Sequence, residues 1–64
     1  MKSNVIDMDL HIHARTEKAI KVSDDGDRDN AVWLPLSEIE IHRTVGSIIE
    51  ITLPEWLALD KGLI

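Results

Sequence analysis

His11 and His13 are the residues of this chain best placed to do chemistry. Two positions apart on an extended chain, their imidazoles point to one side, where Asp7 or Asp9 could add an oxygen; that set is compatible with zinc or nickel. The same spacing is also the ordinary polar face of a half-exposed strand, so no metal site is expected. A second concentration of ligand-type residues is Ser23-Asp24-Asp25-Gly26-Asp27-Arg28-Asp29-Asn30. Carboxylates around a glycine suggest calcium, but the helix-loop-helix calcium site needs glycine at its sixth position and glutamate at its twelfth. Counted from Asp24, Gly26 is third and Pro35 is twelfth. No cofactor is expected there either.

Catalysis is poorly provided for. The cysteine count is zero, which removes thiolate nucleophiles, thiolate metal ligands and disulfides together. The sequence contains no glycine-rich phosphate loop and only three histidines, too few for most catalytic constellations. An enzyme is not expected, and a reducing, cytoplasmic setting suits a chain without disulfides. Asp7 and Asp9 interrupt the apolar stretch that a signal peptide would need, and no run approaches membrane-spanning length, so a soluble, unprocessed protein with no membrane partner is expected.

Sixty-four residues make one small domain, spanning 1–64. A chain of this size buries only about 60% of the surface it exposes when unfolded, so its stability is modest and rests on its core or on a partner. Seven Lys and Arg against twelve Asp and Glu give a net charge of −5, a field that disfavours phosphate at long range. Such a charge also keeps a small protein soluble with no further purpose.

The elements that position these groups are legible from periodicity. Ile6, Met8, Leu10, Ile12 and Ala14 alternate with Asp7, Asp9, His11, His13 and Arg15, and Ile20 and Val22 resume the same parity, unbroken from Ile6 to Val22. That run exceeds one ordinary strand, so it predicts two strands that meet at a turn around Arg15 to Lys18. The acidic run after it is a hairpin loop, in which Gly26 supplies positive φ. Ala31-Val32-Trp33-Leu34-Pro35-Leu36-Ser37-Glu38-Ile39-Glu40-Ile41 then changes parity: Val32, Leu34 and Leu36 are even, Ile39 and Ile41 odd. A bulge or short turn at Pro35-Leu36-Ser37 absorbs the slip and bends the ribbon over a small core, leaving Glu38, Glu40 and His42 in water. Trp33 falls on the face opposite Val32 and Leu34, where it needs either cover or a partner; the C-terminal segment is the expected cover.

Thr44-Val45-Gly46-Ser47 reads as a turn, and Ile49, Ile51 and Leu53 alternate with Glu50 and Thr52 in a last strand. Pro54 and Glu55 open a short helix that Gly62 stops, with Thr52 or Leu53 as its cap and Trp56, Leu57 and Leu59 on its surface. The expected fold is α+β and mainly β: a bent antiparallel sheet of about three to five strands, a small open barrel or roll, with one short C-terminal helix.

Glu17-Lys18-Ala19-Ile20-Lys21-Val22, Val32-Trp33-Leu34-Pro35-Leu36-Ser37-Glu38-Ile39-Glu40 and Leu53-Pro54-Glu55-Trp56-Leu57-Ala58, with Lys61-Gly62-Leu63, resemble a group of short phage, prophage and plasmid reading frames. The resemblance covers most of the chain and implies a mobile-element origin, with no activity to carry onto any residue. Small acidic phage proteins include inhibitors of host defence of anti-CRISPR and anti-restriction type. By that analogy the expected function is a protein-interaction module that occupies a basic, nucleic-acid-binding surface of a host or phage protein. Asp24, Asp25, Asp27, Asp29, Glu38 and Glu40, with Trp33, are the candidate contacts, their carboxylates standing in for spaced phosphates. The other reading is a small-barrel module for single-stranded nucleic acid that uses Arg15, Lys18, Lys21 and Arg43 around Trp33. A homodimer that buries leftover apolar residues is a third, structural possibility.

Overall fold

A computed structural model describes residues 4–64. Five strands form in chain order, β1 (Val5–Arg15), β2 (Ala19–Ser23), β3 (Val32–Pro35), β4 (Glu40–Val45) and β5 (Ile48–Pro54), followed by helix α1 (Glu55–Asp60). Short 3-10 turns occupy Arg28–Asn30 and Leu36–Glu38. All pairings are antiparallel, in one open sheet of order β3-β2-β1-β5-β4. The mainly β fold with one short terminal helix is therefore as expected.

The long first strand is shared. Its N-terminal part, Val5 to His11, pairs with β5, and its C-terminal part, His11 to Arg15, pairs with β2. The break between β1 and β2 falls at Thr16, whose hydroxyl accepts from the Ala19 N–H at 3.1 Å while its own N–H donates to the Ala19 carbonyl at 2.8 Å. That side-chain bond makes the tight turn without a glycine.

Strands β3 and β4 lie at opposite edges of the sheet, yet only Leu36 to Ile39 join them. Four strand spacings in a flat sheet come to about 19 Å. A connection containing one 3-10 turn reaches about 13 Å. The sheet must therefore curl, and Pro35 is where the chain leaves its ladder. The Leu36 N–H still donates to the Lys18 carbonyl at 2.8 Å, so the turn starts from the end of the β2–β3 pair.

The concave side holds the core. Leu10, Ile20, Val22, Leu34, Ile49, Ile51 and Leu53 are buried there and are capped by Leu57, Ala58 and Leu63 from the C-terminal segment. Ile6, Ile12, Ile39 and Ile41 pack around them. A helix of six residues cannot persist alone. It is held by burial of Leu57 and Ala58 and by a C-terminal motif in which the Leu63 N–H donates to the Ala58 carbonyl and Gly62 N–H to the Leu59 carbonyl, Gly62 taking φ +74°. Trp56 and Leu59 point outward.

Three local expectations need correction. Parity does not run unbroken from Ile6 to Val22: β1 carries a bulge between Ile12 and Ala14, and Ala14 stands opposite Lys21 on the outer face. An extra residue, His13, absorbs the slip that curling imposes. Pro54 itself is the N-cap of α1, without a side-chain cap bond, in place of Thr52 or Leu53, both of which remain in β5. Finally, α1 lies on the concave side while Trp33, opposite Lys21, lies on the outer face and is 42% exposed, so the C-terminal segment does not cover it.

Candidate functional site

Strand parity fixes what the outer face presents. With Met8, Leu10, Ile49 and Ile51 directed inward, Asp7, Asp9, Glu50 and Thr52 must point outward. The register sets Asp9 directly across from Glu50 and Asp7 across from Thr52; on the other side of β5, Glu40 faces Thr52 and Arg43 faces Glu50. Four carboxylates thus occupy two adjacent rows of three neighbouring strands, answered by one guanidinium. Like charges directly opposed on a sheet are destabilising. Beside them a groove of about 400 Å³ is lined by Asp9, Arg43, Val45, Ile48 and Glu50.

The hydroxyl of Thr52 is the hub of the second row. It donates to Asp7 Oδ1 and lies 2.6 Å from Nε2 of His42, whose Nδ1 is 3.7 Å from Glu40 Oε1. His42 is the extra residue of a second bulge, in β4 between Ile41 and Arg43. The order Thr, His, Glu is that of a nucleophile, base and orienting acid, but the proton runs the other way: Thr52 gives its hydrogen to Asp7 and so cannot also give it to His42. The cluster is a tie between strands.

β1 repeats the device. His13, the bulged residue, places Nε2 2.7 Å from the Ser23 hydroxyl, and Ser23 is completely buried. His11 lies instead beneath the β2–β3 loop, where a Cβ on Gly26 would sit 3.5 Å from its ring. The two imidazoles are thus engaged separately. Among the described residues no three His, Cys, Asp or Glu side chains gather closely enough to hold a metal ion.

The loop aspartates largely build the loop. Asp25 accepts the Asp27 N–H at 2.9 Å and the Asn30 amide at 3.0 Å, and Asp27 accepts the Asp29 N–H at 2.9 Å. The Asp27 N–H and then the Asn30 amide hold the Asp25 carboxyl below its ordinary value, against a smaller opposing effect of burial. Asp24, Asp25, Asp27 and Asp29 are all exposed on one loop.

The candidate contacts do not form one surface. The loop lies at the start of β3, whereas Glu38 sits in the 3-10 turn after its end and Glu40 opens β4. The length of β3 separates them by about 13 Å. Glu38 and Glu40 line a smaller groove of about 250 Å³ with Ser37, Ile39 and Thr52. Trp33 stands midway on the outer face, across from Lys21. The basic residues are likewise divided: Lys21 is beside Trp33, Arg15 and Lys18 are at the β1–β2 turn, and Arg43 is on β4 next to Glu50. Sequence reasoning missed Asp7, Asp9 and Glu50 as members of an acidic face; their shared parity was visible, but the β1–β5 pairing that joins them was not.

Comparisons with protein-family models, curated proteins and solved structures give no match to this chain. The resemblance to short phage and plasmid reading frames therefore rests on the quoted residues alone.

Proposed function

We propose that this chain is a protein-interaction module of mobile-element origin, acting in the cytoplasm, whose carboxylates occupy a basic, nucleic-acid-binding surface on a host protein, as inhibitors of host defence do. The observation that carries this reading is the direct opposition of Asp9 and Glu50, with Asp7 and Glu40 in the adjoining row. A fold that keeps unfavourable like-charge neighbours on a rigid face gains nothing in stability from them. Spaced carboxylates on a curled sheet suit a groove lined with arginine, where charge-assisted hydrogen bonds are strong and discriminating. The exposed loop aspartates, Glu38 and Trp33 extend the contact beyond that face.

The test is capture from a host lysate with the wild-type chain and with an Asp9→Asn/Glu50→Gln variant, followed by displacement with nucleic acid. A captured protein released by DNA or RNA, and retained poorly by the variant, supports the reading. Capture that is equal for both chains and indifferent to nucleic acid overturns it. An Asp24→Asn/Asp29→Asn variant separates the loop from the face.

Trp33 beside Lys21 favours the second reading, a stacking platform for a single strand. Against it stand the net charge of −5 and the placement of Arg43 next to Glu50. Fluorescence anisotropy at low salt decides: no binding of single-stranded DNA or RNA at micromolar protein removes it.

A further inference from the structure

The outer face carries a histidine, His42, whose hydrogen-bond directions are fixed by counting protons. Thr52 has one hydroxyl hydrogen and donates it to Asp7. Its contact with His42 Nε2 at 2.6 Å must therefore use an oxygen lone pair, so Nε2 carries the hydrogen. In the neutral ring Nδ1 is then a bare lone pair, 3.7 Å from the carboxylate of Glu40. Two electron-rich groups face each other there. A proton on Nδ1 converts that opposition into an ion pair while the Nε2 bond to Thr52 is kept.

We infer that His42 is a proton-operated latch on the edge strand β4. The ionisable groups around it come from every neighbouring element: Glu40 and Arg43 on β4, Asp7 and Asp9 on β1, Glu50 on β5 and Glu38 in the preceding turn. All but Arg43 are acidic. Among the described residues β4 has β5 as its sole partner strand, and its register is already interrupted at His42. Protonation adds the Glu40 pair within β4 and makes the Nε2–H bond to Thr52 charge-assisted, which strengthens the existing tie to β5 and, through Asp7, to the central strand β1. Deprotonation leaves the ladder and the same Nε2 bond in its weaker, neutral form. The inference does not depend on what the outer face binds.

The experiment is NMR on the whole chain at about pH 8 and about pH 5.5, the interval in which histidine charge changes are read. Imidazole nitrogen spectra should show His42 as the Nε2–H tautomer at the higher pH. Amide-exchange protection over Ile41 to Val45, corrected for intrinsic rates and referenced to β2, should rise about two- to fivefold on acidification, the scale of a half-exposed ion pair. His42→Gln keeps a donor toward Thr52 but cannot be charged, and it should abolish the rise. An Nδ1–H tautomer in the neutral ring, a flat response in the wild-type chain, or an undiminished rise in His42→Gln each overturns the inference. Circular dichroism of the variant confirms that the sheet is retained.

Discussion

His13 and Ser23 are joined across β1 and β2 by a 2.7 Å bond between Nε2 and Oγ, with the hydroxyl completely buried and the imidazole only partly so. The two ends of this bond are unequal. His13→Ala strands a buried hydroxyl and should cost about 1–3 kcal/mol, whereas Ser23→Ala leaves an imidazole that water can reach and should cost about 1 kcal/mol or less. Urea denaturation of the two variants and of the double variant checks this; the double variant should be less destabilised than the sum of the singles.

Leu10 and Ile51 are completely buried on adjacent strands at the centre of the core. Truncating either to alanine should cost about 2–5 kcal/mol. A domain this small holds about 5 kcal/mol, so either variant should retain about 3 kcal/mol or less, with a clearly lowered urea midpoint by far-UV circular dichroism and about half of the molecules unfolded at room temperature at the upper end of the cost.

Gly26 has φ +80° and lies over the His11 ring. Gly26→Ala forces an L side chain into the left-handed region and presses a methyl group against imidazole at ordinary contact distance. The backbone effect dominates, at about 1 kcal/mol. The expected result is a small loss of stability with chemical-shift changes at both Gly26 and the His11 ring.

The Asp25 carboxyl is held below its ordinary value by the Asp27 N–H and the Asn30 amide. Because the folded form binds its proton less readily than the unfolded chain, the contribution is present above the unfolded value of 3.8 and is lost as pH falls through the lower folded value. The Asp27 amide resonance should move in that acidic window and not near neutrality. Asp25→Asn should remove the transition.

Trp33 and Trp56 are 42% and 59% exposed. In a Trp56→Phe variant the remaining emission should be red-shifted and quenched by acrylamide. A blue-shifted, protected Trp33 would show that another part of the chain covers it.

Strand periods, the acidic loop, the tight turn at Gly46 and the terminal helix were legible because each depends on residues near in sequence: the alternation of Ile49, Ile51 and Leu53, the glycines at 26, 46 and 62, and the proline at 54. The bulges at His13 and His42 were not. Each is imposed by curling of the whole sheet, and a histidine at the slip leaves the polar alternation looking intact. The acidic face escaped for a related reason. Asp9 and Glu50 meet only when β1 pairs with β5, a contact between the two ends of the chain that no local pattern announces. The loop aspartates drew attention by crowding, yet two of them are occupied with neighbouring amides.

A curled sheet that does not close has two rims, each a row of unspent main-chain donors and acceptors ready to template a neighbouring molecule. Here neither rim is usable for long. One is four residues from end to end and finishes in the ring of Pro35, and the other is thrown out of step by the extra residue at His42. Copies of this molecule crowded together therefore lack a flat border on which to stack into fibres.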